Sequence, residues 1–248
     1  MSKVGALKFC EQLTPGITTI IHRLSCVQSK PSPMAVAAAN GALIEGYRHK
    51  DTGLTYGGAH LKTERARTIG LELDFAMADG APVEIEAGAD ATAYATTDES
   101  IGNKWGSNDL LGLYVTYGGA AVMHQAKKIH LVLASNGSFG TEAFGTNRAG
   151  EALTYIESMA RAFGHASDRP KLVVTDSMSN AQVTSGHGTA SRAKHILRHL
   201  HSFLQKVRFG EVVLKHIPGK EMPADFLTKF VDGPKYWASV RYLTGQRG

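Results

Sequence analysis

Four acidic residues lie at the edges of predicted helices and strands. Asp90 lies within a strand candidate, in "AGADATA", and Glu142 opens a long helix, in "GTEAF". Asp176 ends the apolar strand "KLVVTD", and Asp225 opens the helix of "PADFLTKF". Because the carboxyl ends of central strands in an α/β sheet line a crevice where ligands bind, we predict that these four carboxylates converge there.

Carboxylates that converge in this way repel one another. At a separation of 4 Å the cost is ~4 kcal/mol per pair at an effective dielectric constant near 20. Bound divalent cations relieve the repulsion, and oxygen ligands without His or Cys favour Mg²⁺ or Mn²⁺ over zinc. Two such ions activate a water molecule and stabilise the leaving oxygen of a phosphodiester, so the pattern predicts a phosphodiesterase site.

Each acid also has a structural interpretation. A carboxylate at the start of a helix commonly interacts with the helix dipole or caps the helix, and one at the end of a strand is often a turn residue. An unpaired acid inside a strand, such as Asp90, is disfavoured there and is harder to explain by structure alone. The prediction therefore depends on the set of four and on the order of the elements.

The elements that must position these acids fall into two parts. Residues 1–80 are predicted to form a small, mainly helical segment, and residues 81–248 an α/β domain. The predicted order is three strands, a helix, a strand, helices, a strand and a helix. It predicts a mixed five-stranded sheet flanked by helices. The predicted strands are "VEIEAGADATAYA", the two halves of "LLGLYVTYGGAAVMHQA", "PKLVVTD" and "EVVLKHI".

Composition narrows the class of protein. The 248 residues suit one or two domains, and the net charge of +5 is compatible with an anionic partner. Cys10 and Cys26 form no CxxC pair, which argues against a zinc site and suits a reducing intracellular compartment. No signal peptide and no apolar run of ~18 residues is visible, so we expect no membrane partner.

The motifs around the acids resemble those of a known family. "GADATA" is similar to the motif S-D-A-D-W, "GTEAF" to S-T-E-A-E, "VVTDSMSNA" to Y-x-D-N-x-S-A and "MPADFLTKF" to x-x-A-D-x-L-T-K. "GLYVTYGGAAVMHQAKK" and "SRAKHI" also have counterparts. Over nearly its whole length the chain resembles the ribonuclease H region of Ty1/copia-type retrotransposon polyproteins, preceded by the C-terminal tail of their reverse transcriptase.

The resemblance implies a fold, an activity and a site. The fold is that of ribonuclease H, with residues 1–80 as a connection-like segment of the reverse transcriptase. The activity is hydrolysis of the RNA strand of an RNA–DNA hybrid. The resemblance makes four residues both catalytic and ligands of two Mg²⁺ ions, with Mn²⁺ as a substitute: Asp90, Glu142, Asp176 and Asp225.

The resemblance also implies a context and shows departures. The implied partner is the rest of a reverse transcriptase polyprotein, in the cytoplasm, the nucleus or virus-like particles. The second acid of S-D-A-D-W is Thr92 here, and its Trp is Ala93. The loop "TTDESIGNKWGSND" is longer than its counterpart in the family.

Basic residues provide candidate contacts to nucleic acid. Each phosphate that they neutralise would steepen the salt dependence of binding. The alternative is a solvated basic face. His216, on the approach to Asp225, is a candidate for a catalytic role, and its favoured alternative is that it ends a strand. The candidates on the helix "SRAKHILRHLHSFLQKVR" and at the end of the hairpin are Arg192, Lys194, His195, Arg198, Lys127 and Lys128.

Two other functions fit parts of the sequence. A non-catalytic ribonuclease H-fold scaffold in a larger protein or ribonucleoprotein assembly is compatible with the altered neighbours of the acids. Another nuclease of the same fold, such as an integrase, is disfavoured by the fourth acid and by the "PADFLTK" ending.

Overall fold

The structure is a computed structural model that describes residues 3–11, 14–54, 94–100, 109–117, 120–129, 138–165, 171–184 and 197–245. In the first of the two predicted parts the helices are α1 (Lys3–Cys10), α2 (Thr18–Cys26) and α3 (Pro33–Arg48). In the second part the elements are β1 (Tyr94–Ser100), β2 (Leu110–Tyr117), β3 (Ala120–Lys128), α4 (Ser138–Ala162), β4 (Lys171–Thr175), α5 (Met178–Thr184), α6 (Leu197–Arg208), β5 (Val212–His216), α7 (Asp225–Thr228) and α8 (Gly233–Thr244).

The five described strands form one mixed sheet in the order β3-β2-β1-β4-β5. The first three strands are an antiparallel meander, and β1, β4 and β5 are parallel to one another. Parallel neighbours need crossover connections, and helices supply them here: α4 precedes β4, and α5 and α6 precede β5. The mixed α/β architecture and the order of its elements agree with the prediction from sequence.

Each face of the sheet has its own hydrophobic core. On one face the apolar side of α4 packs against the sheet, and Ala149 and Leu153 are fully buried there beside Phe203 of α6. On the other face α7 and α8 cover the strands, with Leu227 and Leu243 fully buried. The sheet is therefore covered on both sides, as parallel strands require.

The end of β1 differs from the prediction. Alternating apolar residues predicted a strand in "VEIEAGADATAYA" and a loop from "TTDES" onward, whereas the observed strand is Tyr94–Ser100 and includes "TTDES". Ala95, which is fully buried, pairs with Val115 of β2 and with Val173 of β4. Antiparallel pairing with β2 as far as Ser100 therefore extends the strand into the predicted loop, where no local alternation indicated it. Residues 83–93, including Asp90, lie outside the described residues.

The N-terminal helices have a core of their own and also contact the sheet domain. Ile21 and Leu24 of α2 are buried with Ala39 of α3. Hydrogen bonds to backbone carbonyls join these helices to the rest of the chain; one of them runs from the Tyr236 hydroxyl to the Gly16 carbonyl at 2.9 Å. The predicted boundary between residues 80 and 81 lies outside the described residues and stays a prediction.

In the described parts of the chain, no helix combines the length and the apolar character that crossing a bilayer requires.

Candidate active site

Asp176 directly follows β4, at the carboxyl end of a central parallel strand. Side-chain bonds fix the backbone on both sides of it. The Ser177 amide donates to the Thr175 hydroxyl at 3.1 Å, and the Asn180 amide donates to the Ser177 hydroxyl at 3.4 Å. The carboxylate is therefore held at the short connection between β4 and α5.

The surroundings of Asp176 disfavour its charge. Burial raises the pKa of its carboxyl group, and the neighbouring carboxylate of Asp225 raises it further. Lys229 and His216 act in the opposite direction, but the pKa stays above its ordinary value. Asp176 is thus a partly desolvated carboxylate beside a second one, which is an arrangement that a bound cation would stabilise.

Asp225 has the opposite environment, although it is only 7% exposed. The Lys229 ammonium donates to its Oδ1 at 2.8 Å, and the Lys235 ammonium donates to its Oδ2. Burial raises the pKa of Asp225, but these two hydrogen-bonded lysines outweigh burial and hold the pKa below its ordinary value. The protein's own cations therefore already neutralise this carboxylate.

The turn after β5 lies between these two acids. A Cβ added to Gly219 would lie 3.1 Å from Oδ2 of Asp176, so the glycine backbone fits closely against that carboxylate. The carbonyl of Gly219 accepts a hydrogen bond of 2.8 Å from Lys235, the same ammonium that binds Asp225. One lysine thus connects the turn beside Asp176 to the start of α7.

Glu142 does not open its helix, as the sequence predicted, because α4 begins at Ser138. It lies in the second turn, and Asn180 of α5 fixes this turn: its side-chain amide donates to the Glu142 carbonyl at 3.3 Å and to the Thr146 hydroxyl at 2.5 Å. Since α5 begins two residues after Asp176, these bonds place the backbone of Glu142 at the same end of β4. One carboxylate oxygen of Glu142 is shielded from solvent.

Sequence reasoning missed three residues that organise this site. Lys229 follows Asp225 by four residues, and an acid followed by a lysine at that helical spacing is a signal that could have identified it. Asn180 is fully buried, and a polar residue in a short helix gives no such signal. Lys235 comes from the next helix, so only the packing of α8 against α7 reveals it.

The predicted contacts to nucleic acid are described only in part. Lys127 and Lys128 end β3, where Lys128 pairs with Leu110 and Leu110 pairs with Ser100 at the carboxyl end of β1. The two lysines therefore lie at the same end of the sheet's strands as Asp176, which is the carboxyl end of β1 and β4. Arg192, Lys194 and His195 lie outside the described residues, and the side chain of Arg198 is not described.

The described residues fit a divalent cation in part. Asp176 and Asp225 are adjacent carboxylates, and oxygen ligands suit Mg²⁺. Within residues whose side chains the structure describes, however, no group of three or more His, Cys, Asp or Glu is arranged to hold a metal ion. A complete metal site therefore needs a further carboxylate, from a residue whose side chain the structure does not describe. It also requires that Lys229 and Lys235 release Asp225.

Comparison with known proteins gives structural neighbours only. No family model matches the sequence, and no curated protein matches it significantly. The N-terminal RNase H domain of a Mycobacterium tuberculosis protein, solved as a fusion with maltose-binding protein, is 13% identical, with a TM-score of 0.39, 61% of this chain covered and 98% of that chain.

LC11-RNase H1 solved in complex with an RNA/DNA hybrid is 17% identical, with a TM-score of 0.38, 55% of this chain covered and 94% of that one. A second structure of LC11-RNase H1, isolated from compost by a metagenomic approach, is also 17% identical, with a TM-score of 0.33 and coverage of 56% and 93%. The three neighbours are ribonuclease H domains. Scores this low establish neither a function nor a site for this chain.

Proposed function

We propose that this chain is a ribonuclease H of the Ty1/copia type, which hydrolyses the RNA strand of RNA–DNA hybrids with Mg²⁺, or with Mn²⁺ in its place. The sequence motifs support an origin in a retrotransposon polyprotein, with the rest of the reverse transcriptase as its partner. The proposal places the protein inside the cell, where such hybrids form.

One observation carries the proposal. A partly desolvated carboxylate, Asp176, stands at the carboxyl end of a central parallel strand, with Asp225 beside it and the second turn of α4 fixed close by. The charge of Asp176 opposes folding, because burial and repulsion from Asp225 disfavour it. Such a cluster is best explained by a cation that is needed for chemistry.

The chain's own residues would position the reacting groups. Asp176, Asp225 and Glu142 supply carboxylate oxygens, and a bound pair of divalent ions would supply an activated water and stabilisation of the leaving oxygen. Asn180 fixes the helix that carries Glu142 relative to Asp176. Lys229 and Lys235 hold Asp225 in place and must release its oxygens before Asp225 can bind a cation.

The basic residues would bind the phosphates of the hybrid. Lys127 and Lys128 lie at the same end of the sheet's strands as Asp176. A duplex bound at this end could therefore reach the two lysines and the acid. We propose the same role for Arg192, Lys194, His195 and Arg198, on the strength of the sequence alone. Each contact that is lost should reduce the salt dependence of binding by about one unit of slope.

The direct test is a cleavage assay with a labelled RNA–DNA hybrid, with and without Mg²⁺, and with double-stranded DNA and double-stranded RNA as controls. We expect Mg²⁺-dependent cleavage of the RNA strand alone, and loss of that cleavage in Asp176→Asn. Cleavage by D176N at the rate of the parent, or cleavage without a divalent cation, would refute the proposal.

A non-catalytic scaffold is the second candidate, and the state of Asp225 favours it. Two lysines already neutralise this carboxylate, as expected of a site that holds no metal. Calorimetric titration with Mn²⁺ separates the two functions. The nuclease should bind Mn²⁺ in a manner that depends on Asp176, whereas a scaffold should show no binding that depends on its carboxylates.

A further inference from the structure

Residues that pair across adjacent strands form a row of the sheet, and the row that contains Asp98 leads to Asp176. It pairs with Gly112 of β2 on one side. On the other side, Thr96 pairs with Val174 in the parallel ladder between β1 and β4. A parallel ladder advances by one residue on each strand, so continuing it by two residues places position 98 opposite Asp176.

This row lies on the face of the sheet that α7 covers. A Cβ added to Gly112 would lie 2.8 Å from the Cβ of Leu227 in α7, so the side of β2 at Gly112 is in contact with that helix. Paired residues on adjacent strands share a face of the sheet. Positions 98, 112 and 176 therefore share the face that is covered by the helix beginning at Asp225.

We infer that Asp98 provides a fourth carboxylate of the active site, with Asp176, Asp225 and Glu142, in the role that the sequence motif assigned to Asp90. Adjacent strands are about 4.8 Å apart, and aspartates opposite each other on one face are close enough to share a cation. The inference rests on the proposed function, since it identifies a ligand for that reaction.

Two features agree with this assignment. Gly112, opposite Asp98, has no side chain and leaves the space above the row to α7. In addition, taking Asp98 as the first acid moves that acid eight residues along the chain and shortens the long loop that follows Asp90. Asp90 precedes the first residue of β1 by four positions and lies outside the described residues.

Matched substitutions in the full chain test the inference. Asp98→Asn, Asp90→Asn and Asp176→Asn each remove one negative charge with little change in volume. Two quantities are measured for each variant: cleavage of the labelled hybrid in Mg²⁺, and the rise in Tm on addition of Mn²⁺, which reports cation binding without catalysis. The Tm in EDTA shows that each variant folds, and Asp98→Ser replaces D98N if D98N does not.

We expect D98N to lose both the cleavage and the Mn²⁺-dependent rise in Tm, as D176N does, and D90N to keep both. If D90N loses them, or if D98N keeps them, while the parent is active and D176N is not, the inference is wrong and the proposed function stands. If the parent neither cleaves the hybrid nor responds to Mn²⁺, the proposed function fails, and the inference fails with it.

Discussion

Asp176 and Asp225 are neighbouring carboxylates that the protein treats in opposite ways. Burial and the nearby Asp225 raise the pKa of Asp176. Asp225 is also buried, but Lys229 and Lys235 bind both of its oxygens and hold its pKa down. One carboxylate is therefore costly to ionise, and the other is stabilised in its ionised form.

The sequence predicted one role, metal binding in catalysis, for both acids, whereas their environments in the structure differ. Asp225 joins α7, α8 and the turn at Gly219, because one of its lysines also binds the Gly219 carbonyl. Asp176 does not connect structural elements in this way, and its partly desolvated charge opposes folding. In the described structure Asp225 thus contributes to stability, whereas Asp176 is better explained by a function that requires a cation.

The largest predicted effect is the difference between the two acids in their contribution to the free energy of unfolding, measured without metal. Asp225→Asn leaves two lysine ammonium groups without their carboxylate, one of them with a side chain only 24% exposed. We expect D225N to lower the free energy of unfolding by about 1–3 kcal/mol. Asp176→Asn removes a desolvated charge, so we expect it to be neutral or to stabilise the fold by up to about 1 kcal/mol.

Urea denaturation in EDTA at pH 7 measures both changes, and each variant serves as the control for the other. Equal destabilisation by the two substitutions would contradict the contrast, because it would mean that Asp176 also forms a stabilising ion pair. A stable D225N would mean that the two lysines have alternative partners.

The sequence predicted much of this fold, but only part of the site's environment. Strong local signals located α4, whose apolar residues repeat at helical spacing, and β4, which is a short apolar run. The end of β1 was misplaced, because long-range pairing with β2 continues the strand to Ser100, through the predicted loop residues "TTDES".

The lysines around Asp225 show a second limit. Lys229 directly follows the four-residue helix that Asp225 begins, and it was predictable in principle from its spacing. Lys235 is ten residues away, beyond a turn, and reaches Asp225 only because α8 packs against α7. Motifs report which residue types are present, but the neutralisation of a buried charge depends on packing that no local pattern encodes.

A second prediction concerns the support of α7 by the N-terminal helices. Arg23 of α2 is 4% exposed and donates to the Thr228 carbonyl at the end of α7 at 2.7 Å, with its guanidinium 4.3 Å from the centre of the Phe230 ring. Arg23→Met keeps much of the apolar stem and removes the hydrogen bond, so we expect a loss of about 1–2 kcal/mol. Arg48→Met is the matched control, because the Arg48 side chain is 68% exposed.

A double-mutant cycle links this prediction to the contrast between the acids. R23M and D225N act on opposite ends of the four-residue helix α7, so we expect their effects to couple by about 0.5 kcal/mol or more. R23M and D176N share no partner and should be additive. Coupling of R23M to D176N alone would mean that the N-terminal helices support the end of β4 and not α7.

The smallest predicted effect is a pH dependence at the junction between the N-terminal helices and β3. His124 is 3% exposed, and its Nε2 donates to the Glu11 carbonyl at 2.9 Å. Burial lowers the pKa of His124, although the bond to Glu11 opposes this shift. The folded protein therefore resists a proton that the unfolded chain accepts near its ordinary pKa of about 6.5.

It follows that the parent loses stability as the pH falls below about 6.5 towards the lower pKa of the folded state, by at most about 1.4 kcal/mol per pH unit from this group. His124→Gln can still donate to Glu11 but does not titrate, so its stability should fall less between pH 7 and pH 5. His22, whose pKa burial and nearby cations lower to about 4, titrates in both proteins and cancels in their difference. Parallel stability curves for the two proteins would show that the folded protein does not resist protonation of His124, and would contradict this prediction.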